Sequence, residues 1–225
     1  MNRILSLFLA AALLAAAPLS ARDARADARP PGAAIASAHA LATEAGFETL
    51  EAGGNAFDAA VTVSAVLSVV EPISSGLGGG GFFRLHDARS GRDVFVDARE
   101  TAPAAATSER YLAADGSFDR DRAINGPWSA GIPGLPAGLV HVAQTYGRLP
   151  LSVSLAPAIR IAREGFPVYE RMARGYEMRR EVMGRYPGTR EVFLAGGAPP
   201  RVGDLFRQPD LARTLELLAQ HGHDG

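Results

Sequence analysis

The sequence predicts an α-rich α+β fold, in which about six helices accompany a single β-hairpin. Three observations carry this prediction. Apolar residues recur at helical spacing in several segments between Ser37 and Gln220. Two short β-prone runs flank a turn at Ser90 and Gly91. With 225 residues, of which 47% are hydrophobic and 21% charged, the chain can form one sizeable core, which we assign to residues 34–225.

The N-terminal segment has the pattern of an export signal. A positively charged start at Arg3 precedes an apolar run from Ile4 to Ala17, and Ala24–Ala26 is a small-x-small cleavage site. The run is shorter than the roughly 20 residues that span a bilayer. We predict a signal peptide over residues 1–26 and a flexible mature N-terminus over residues 27–33, where paired prolines stop helices. The mature protein would be periplasmic or secreted, with no membrane contact.

The first two elements are helices. Ser37–Ala52 is amphipathic and ends at two glycines. Asn55 caps a second helix, Ala56–Val70, with Asp58 in its first turn. Because this helix is apolar on nearly every side, we expect it to be buried all round.

Strands and further helices follow the second helix. Phe82–His86 and Asp93–Ala98 form the predicted hairpin. Four more helices are predicted. The first opens at Gly131–Gly134 and runs to about Tyr146, and the others are Leu151–Glu164, Tyr169–Met183 and Pro209–Gln220. The third of these is basic, carries several Arg and Glu residues, and is expected to be a solvated face. A buried helix needs more cover than one hairpin gives, so we expect the natural polypeptide to continue beyond Gly225.

Charge and cysteine content exclude several classes of function. The net charge is −1, with 23 basic and 24 acidic residues, so no basic stripe is available for nucleic acid. The chain has no cysteine, which excludes disulfides, thiolate metal sites and a thiol nucleophile. His221 and His223 beside Asp224 could form a terminal metal clip, although a solvated end is favoured. We predict no metal and no cofactor.

The glycine-rich run Gly76–Gly81 formally matches a dinucleotide fingerprint, with Asp97 about 20 residues further on. The order of elements argues against that function, because here a helix precedes the glycines and a strand follows them. A P-loop is excluded because no Gly-Lys-Ser/Thr ends the run. Two interpretations stay open. The glycines either allow close approach of two backbones or line a substrate pocket.

Arg99 lies where the second strand passes into a loop. A guanidinium at such a position can hold a carboxylate through two parallel charge-assisted hydrogen bonds. Most arginines are solvated surface charges, however, so the residue type alone does not show whether Arg99 binds a ligand. Glu100 could orient Arg99 or merely form a surface ion pair with it.

Several motifs together resemble the N-terminal, large-subunit part of γ-glutamyltransferase (γ-glutamyltranspeptidase) precursors. They match in order and spacing and cover nearly all of Ala34–Gly222. The matching segments are Ala36–Asp58, Asp58–Val70, Gly76–Phe82 with LGGGGF, Asp97–Thr107 with DARETAP, Gly131–Gly138 with GIPGLPAG, Tyr146-Gly147 and Ala156–Val168.

The resemblance implies an αββα sandwich of the N-terminal-nucleophile hydrolases, made as a zymogen that cuts itself into a large and a small subunit. It also implies an N-terminal threonine of the small subunit that attacks the γ-glutamyl amide of glutathione and passes the acyl group to an amino acid, a peptide or water. The arginine of the family's D-x-R-E motif, which binds the substrate α-carboxylate, falls on Arg99. Ala98 stands where the family often has a bulkier residue, so the pocket can differ in shape.

The nucleophile is missing from this chain, which contains no Thr-Thr pair. We therefore predict no catalytic residue here, Arg99 as the substrate-binding residue, and the small subunit of the same precursor as partner. We expect this polypeptide alone to be inactive. Two alternatives remain: a non-catalytic exported binder of glutamate-like carboxylates, and a related acylase acting on cephalosporin-like side chains.

Overall fold

The computed structural model describes residues 32–225, within which Ile35–Gly225 form one unit. The predicted signal peptide, residues 1–26, lies outside the described residues, and so does most of the predicted flexible segment. Among residues 32–225, no helix is both long enough and apolar enough to cross a membrane.

Eight α-helices and two antiparallel strand pairs make up this unit. The elements in chain order are α1 (Ala40–Glu51), α2 (Ala56–Val70), β1 (Gly81–Asp87), β2 (Arg92–Ala98), α3 (Arg120–Asn125), α4 (Leu135–Tyr146), α5 (Leu151–Glu164), β3 (Phe166–Pro167), α6 (Glu170–Gly184), α7 (Pro187–Phe193), β4 (Leu205–Phe206) and α8 (Pro209–His221). The α-rich α+β prediction therefore agrees with the structure of the described residues. The αββα sandwich of the resemblance stays a prediction.

Side-chain caps fix the starts of α1 and α2. The Nδ1 of His39 accepts a hydrogen bond from Leu41 N–H at 3.2 Å, which starts α1 three residues later than predicted. At α2, Asn55 Oδ1 accepts from the N–H groups of Phe57 and Asp58, while Asp58 Oδ2 accepts from Asn55 N–H at 2.8 Å. This reciprocal capping box sets the start of α2 where the sequence predicts it.

Asp58 also joins α2 to the turn between α4 and α5. Its carboxylate is fully buried and accepts hydrogen bonds from Arg148 N–H at 2.9 Å and Leu149 N–H at 3.3 Å. Beside it, Asn55 Nδ2 donates to Tyr146 O at 2.7 Å. A buried charge is tolerated where its oxygens are hydrogen-bonded in this way.

The centre of the core is α2, which contacts α1, α4 and α5. The prediction that α2 is buried all round is wrong. Positions spaced three and four apart on one side of the helix stay partly accessible, because its helical neighbours cover the other sides. These positions are Ala60, Val63, Ser64 and Leu67.

The hairpin β1–β2 pairs Gly81 with Ala98 at one end and Asp87 with Arg92 at the other. Alternation places Phe83, Leu85 and Ala98 in the core. The opposite face is exposed, and there Phe82 and Phe95 stack with ring centroids 5.4 Å apart. The predicted hairpin is therefore confirmed, with one residue more at each end of β1 and one more at the start of β2.

The C-terminal half contains both predicted and unpredicted elements. The predicted helices correspond to α4, α5, α6 and α8, within four residues at every end. The short helices α3 and α7 and the pairing of β3 with β4 were not predicted, because short segments leave no periodic signal and the strand pairing is non-local. The prediction of a solvated α6 is correct for one side only, since Met172, Gly175 and Tyr176 are buried.

The end of the chain is exposed at His221 and His223, as the solvated interpretation expects. In the described part of the chain, no three His, Cys, Asp or Glu side chains are grouped so that they could hold a metal ion.

Candidate functional site

The glycine segment, Gly76–Gly81, connects α2 to β1. A helix precedes it and a strand follows it, as predicted, so no helix N-terminus follows these glycines to receive a pyrophosphate.

One glycine of this segment is required by a close backbone approach. A Cβ on Gly80 would lie 2.4 Å from the backbone N of Glu100 and 2.6 Å from the Cα of Arg99, distances that no side chain tolerates. A Cβ on Gly76 or Gly78 would meet nothing within 4 Å. The close-approach interpretation thus explains Gly80 but gives no reason for Gly76 and Gly78.

The segment before α4 reaches the same place from another direction. A Cβ on Gly134 would lie 2.4 Å from Arg99 O, and Gly134 N–H donates to Gly79 O at 3.0 Å. Thr101 and Ile132 exchange two backbone hydrogen bonds of 3.1 and 2.8 Å. Three separate sequence motifs, LGGGGF, DARETAP and GIPGLPAG, therefore meet around Arg99.

Arg99 follows the last residue of β2. Its N–H donates to Asp97 Oδ1 at 2.9 Å, and its Nη2 lies 2.9 Å from Glu100 Oε1. The guanidinium carbon is 5.8 Å from the centroid of the Phe82 ring, which is within cation–π range. The side chain is 57% exposed. Within residues 32–225 no second carboxylate lies within 4.0 Å of its guanidinium, so further N–H groups can reach an incoming carboxylate.

A cavity of about 230 Å³ lies between α2, the glycine segment and the start of β1. Its lining residues are Ser64, Leu67, Ser68, Ser74, Ser75, Gly76, Gly80, Gly81, Phe82, Phe83 and Leu135. Arg99 is not among them, but Phe82, whose ring centroid lies 5.8 Å from the guanidinium carbon, is one of them. The glycines therefore line a cavity and also permit a close backbone contact, whereas a substrate in that cavity stays a prediction.

Two contributors to this site were missed by the sequence reasoning. Phe82 was assigned to a strand and to the LGGGGF motif but not to the site, although an aromatic residue on the exposed face of a strand is a signal of a contact surface. Gly134 was assigned to the opening of a helix and to the GIPGLPAG motif, but not to the site. Its contact with Arg99 O joins residues far apart in the chain and leaves no local signal.

Residues 42–225 match the family model for gamma-glutamyltranspeptidase. The chain is 36% identical over 191 residues to the glutathione hydrolase proenzyme of Bacillus subtilis, which covers 84% of this chain and 32% of that protein. The chain thus spans about a third of the length of the curated relatives it matches.

Solved structures of γ-glutamyltranspeptidase and of a related acylase are similar to this chain as well. The crystal structure of Helicobacter pylori γ-glutamyltranspeptidase superposes with a TM-score of 0.80 at 38% identity, covering 85% of this chain and 54% of that one. A cephalosporin acylase from Bacillus halodurans superposes with a TM-score of 0.70 at 29% identity, covering 85% of this chain and 39% of that one. On the extent of the family match, this chain belongs to the γ-glutamyltranspeptidase family.

Proposed function

We propose that this chain supplies the part of a γ-glutamyl acyltransferase and hydrolase that binds the α-carboxylate of a γ-glutamyl donor such as glutathione. The observation that carries the proposal is the Arg99 guanidinium, held by Glu100 over Phe82 at the meeting point of three motifs. Relatives that bear the name glutathione hydrolase support the donor class.

The geometry around Arg99 suits a carboxylate ligand. Glu100 engages one terminal nitrogen, and the exposed guanidinium keeps further donors for two parallel hydrogen bonds. Phe82 covers one side of the planar group and favours the cation. Lysine has neither the planarity nor the fork of donors, so it should be a poor replacement.

The reacting group of the proposed enzyme lies outside these 225 residues. A threonine Oγ of the small subunit would attack the γ-carbonyl carbon, and an ester would form as the C–N bond breaks and the amine leaves with a proton. Water or a second amine would then attack the ester and regenerate the hydroxyl. In this proposal Arg99 anchors the donor during both steps and takes no proton.

Ligand binding by the chain tests the assignment of Arg99. Residues 34–225, titrated with L-glutamate and followed by NMR, are expected to show saturable shifts around Arg99. Arg99→Lys should weaken the affinity about tenfold and Arg99→Ala more, because a charge-assisted pair is worth about 1.5–3 kcal/mol. Arg92→Ala is the matched control, since Arg92 starts the same strand roughly 20 Å away at about 3.3 Å per residue. Equal affinities for wild type and Arg99→Ala would rule the assignment out.

A turnover assay tests the proposal that this chain binds the donor while the small subunit carries the nucleophile. We expect purified protein of these 225 residues to release no p-nitroaniline from γ-glutamyl p-nitroanilide, because no Thr-Thr pair is present. A protein that joins this chain to a threonine-bearing small subunit should release it. Activity of the 225-residue chain alone would contradict the proposal, and inactivity of the complete protein would favour a non-catalytic binder.

A second candidate is an acylase for cephalosporin-like side chains, which the likeness to the Bacillus halodurans enzyme supports. An assay of the complete protein distinguishes the two candidates. Preferential hydrolysis of a cephalosporin side-chain amide over γ-glutamyl p-nitroanilide would favour the acylase.

We also propose export to the periplasm or medium. N-terminal sequencing of the mature protein tests this proposal, and Asp27 is expected as its first residue.

A further inference from the structure

The turn that leads from α2 into the glycine segment is held by α6, a helix far along the chain. This entry turn comprises Glu71–Ser75. Inside it, Glu71 O accepts hydrogen bonds from Ser74 N–H at 2.9 Å and Ser75 N–H at 2.8 Å. Ser74 and Ser75 then line the 230 Å³ cavity together with Gly76 and Gly80. The shape of this turn therefore sets where the glycine segment begins.

Arg171 of α6 connects two residues of the entry turn. Its Nη1 lies 3.3 Å from Glu71 Oε2, and its Nη2 donates to Ser74 Oγ at 3.0 Å. The Glu71 side chain is only 3% exposed, so this carboxylate depends on its polar partners. Arg171 thereby contacts the first and the fourth residue of the turn at once.

An apolar contact joins the same two elements one turn further along α6. A Cβ on Gly175 would lie 3.1 Å from Ile73 Cδ1 and 3.2 Å from Ile73 Cγ2. The bare backbone at Gly175 thus gives Ile73 the room to lie against the helix. A methyl group at this position would press on Ile73 and on the turn that carries it.

The start of α6 adds a third connection. Tyr169 precedes the helix, and its hydroxyl donates to Val70 O at 3.1 Å, the last carbonyl of α2. Burial, with the neighbouring Glu71 carboxylate, raises the pKa of Tyr169, so the phenol stays protonated and remains a donor. All these contacts run between α6 and the α2 end or the entry turn.

We propose that Arg171 and Gly175 are positioning residues that fix the glycine segment beside Arg99. Leu77 is the one residue of the segment that has a side chain, and that side chain is buried; the backbone before Leu77 has no side-chain contact of its own and depends on the entry turn for its place. Beyond Leu77, Gly80 packs against Arg99 and Glu100. The inference rests on the proposed function for its ligand, but the positioning itself does not depend on a ligand.

Amide hydrogen exchange tests the positioning without ligand. In residues 34–225, Arg171→Ala is expected to speed exchange about tenfold at the amides of Ser74 and Ser75, which donate to Glu71 O, as local opening of the entry turn becomes easier. Gly175→Ala should act in the same direction. Arg174→Ala is the matched control, because Arg174 lies on the same helix and, among residues 32–225, forms an ion pair only with exposed Glu170. Equal exchange at these amides in Arg171→Ala and Arg174→Ala, both folded by circular dichroism, would overturn the inference.

Glutamate titration of the same variants separates this inference from the proposed function. Arg171→Ala is expected to weaken L-glutamate binding several-fold at temperatures where the protein is fully folded, and Arg171→Lys to restore part of it. Faster exchange with no glutamate binding even in wild type would contradict the proposed function and leave the positioning supported. If Arg171→Ala does not fold, Ser74→Ala removes the same contact without unpairing Glu71. Unchanged exchange in Ser74→Ala would then count against the inference.

Discussion

Two charged residues near the ends of their elements, Asp58 and Arg99, have opposite environments. Asp58 lies fully buried at the start of α2 and accepts hydrogen bonds from Asn55, Arg148 and Leu149. Arg99 directly follows β2, is 57% exposed, and forms an ion pair with Glu100. A charge whose hydrogen bonds are all made within the chain stabilises the fold, whereas a charge with free donors can bind something else. The variants below test this difference.

The largest expected effect is the loss of stability in Asp58→Ala. The change leaves the partly buried N–H groups of Asn55, Arg148 and Leu149 without this acceptor, where an unsatisfied buried group costs about 1–3 kcal/mol. We expect the free energy of unfolding to fall by about 3 kcal/mol or more, or the protein not to fold. Urea denaturation followed by circular dichroism measures it. Asp58→Asn keeps one acceptor oxygen and should lose less, so equal stability of Asp58→Ala and wild type would contradict this role of Asp58.

A pair of glycine variants tests the backbone contact between the glycine segment and the residues beside Arg99. Gly80→Ala should lower stability by about 2 kcal/mol, because its Cβ would overlap the backbone of Glu100 and force a shift. Gly78→Ala, with open space around the added methyl, should change stability by less than about 1 kcal/mol. Thermal unfolding of both variants gives the difference. Equal melting temperatures would mean that the contact between Gly80 and Glu100 does not constrain the chain.

Arg99→Ala is expected to change stability very little. Exposed ion pairs contribute about 0–1 kcal/mol, so the free energy of unfolding should move by less than about 0.5 kcal/mol. The same urea measurement used for Asp58 provides the value. A loss as large as that of Asp58→Ala would assign Arg99 to the fold and remove the contrast between the two residues.

The smallest expected effect concerns pH and His39. Burial lowers the pKa of His39 below its ordinary value of 6.5, against the opposing pull of Glu71 and Glu44. The unfolded chain therefore takes up a proton at a higher pH than the folded one, so stability should fall as pH drops through about 6.5 towards the folded pKa. Urea midpoints at pH 7.5 and 5.5 measure this. His39→Asn keeps a capping side chain and should show a smaller difference. A difference as large as in wild type would assign the pH dependence to other groups.

The local parts of this comparison were predictable from the sequence, and the non-local parts were not. Asn55 and Asp58 form their capping box over three residues, so the bounds of α2 follow from sequence pattern. The hydrogen bonds from Arg148 and Leu149 to Asp58 join residues some ninety positions apart, which no local pattern records.

The site shows the same division. Arg99 was identified through a resemblance of motifs, and alternation along β1 places Phe82 on the exposed face. The meeting of Gly80, Arg99 and Gly134 depends on how β2 and α4 pack, and the contact of Arg171 with Ser74 depends on how α6 folds back on α2. The sequence pattern predicts the bounds of α6 but not its contacts with the entry turn.

The most direct test of the account is the NMR signal of the Arg99 side chain during a titration with L-glutamate. Residues 34–225 are labelled with ¹⁵N-arginine, and the guanidinium signal that is absent from the spectrum of Arg99→Lys is assigned to Arg99. We predict that the Arg99 Nε–H signal shifts most among the arginines and saturates together with the backbone shifts of Phe82 and Glu100. An unmoved Arg99 signal at saturating glutamate, or a larger shift at another arginine, would contradict the assignment of the carboxylate site.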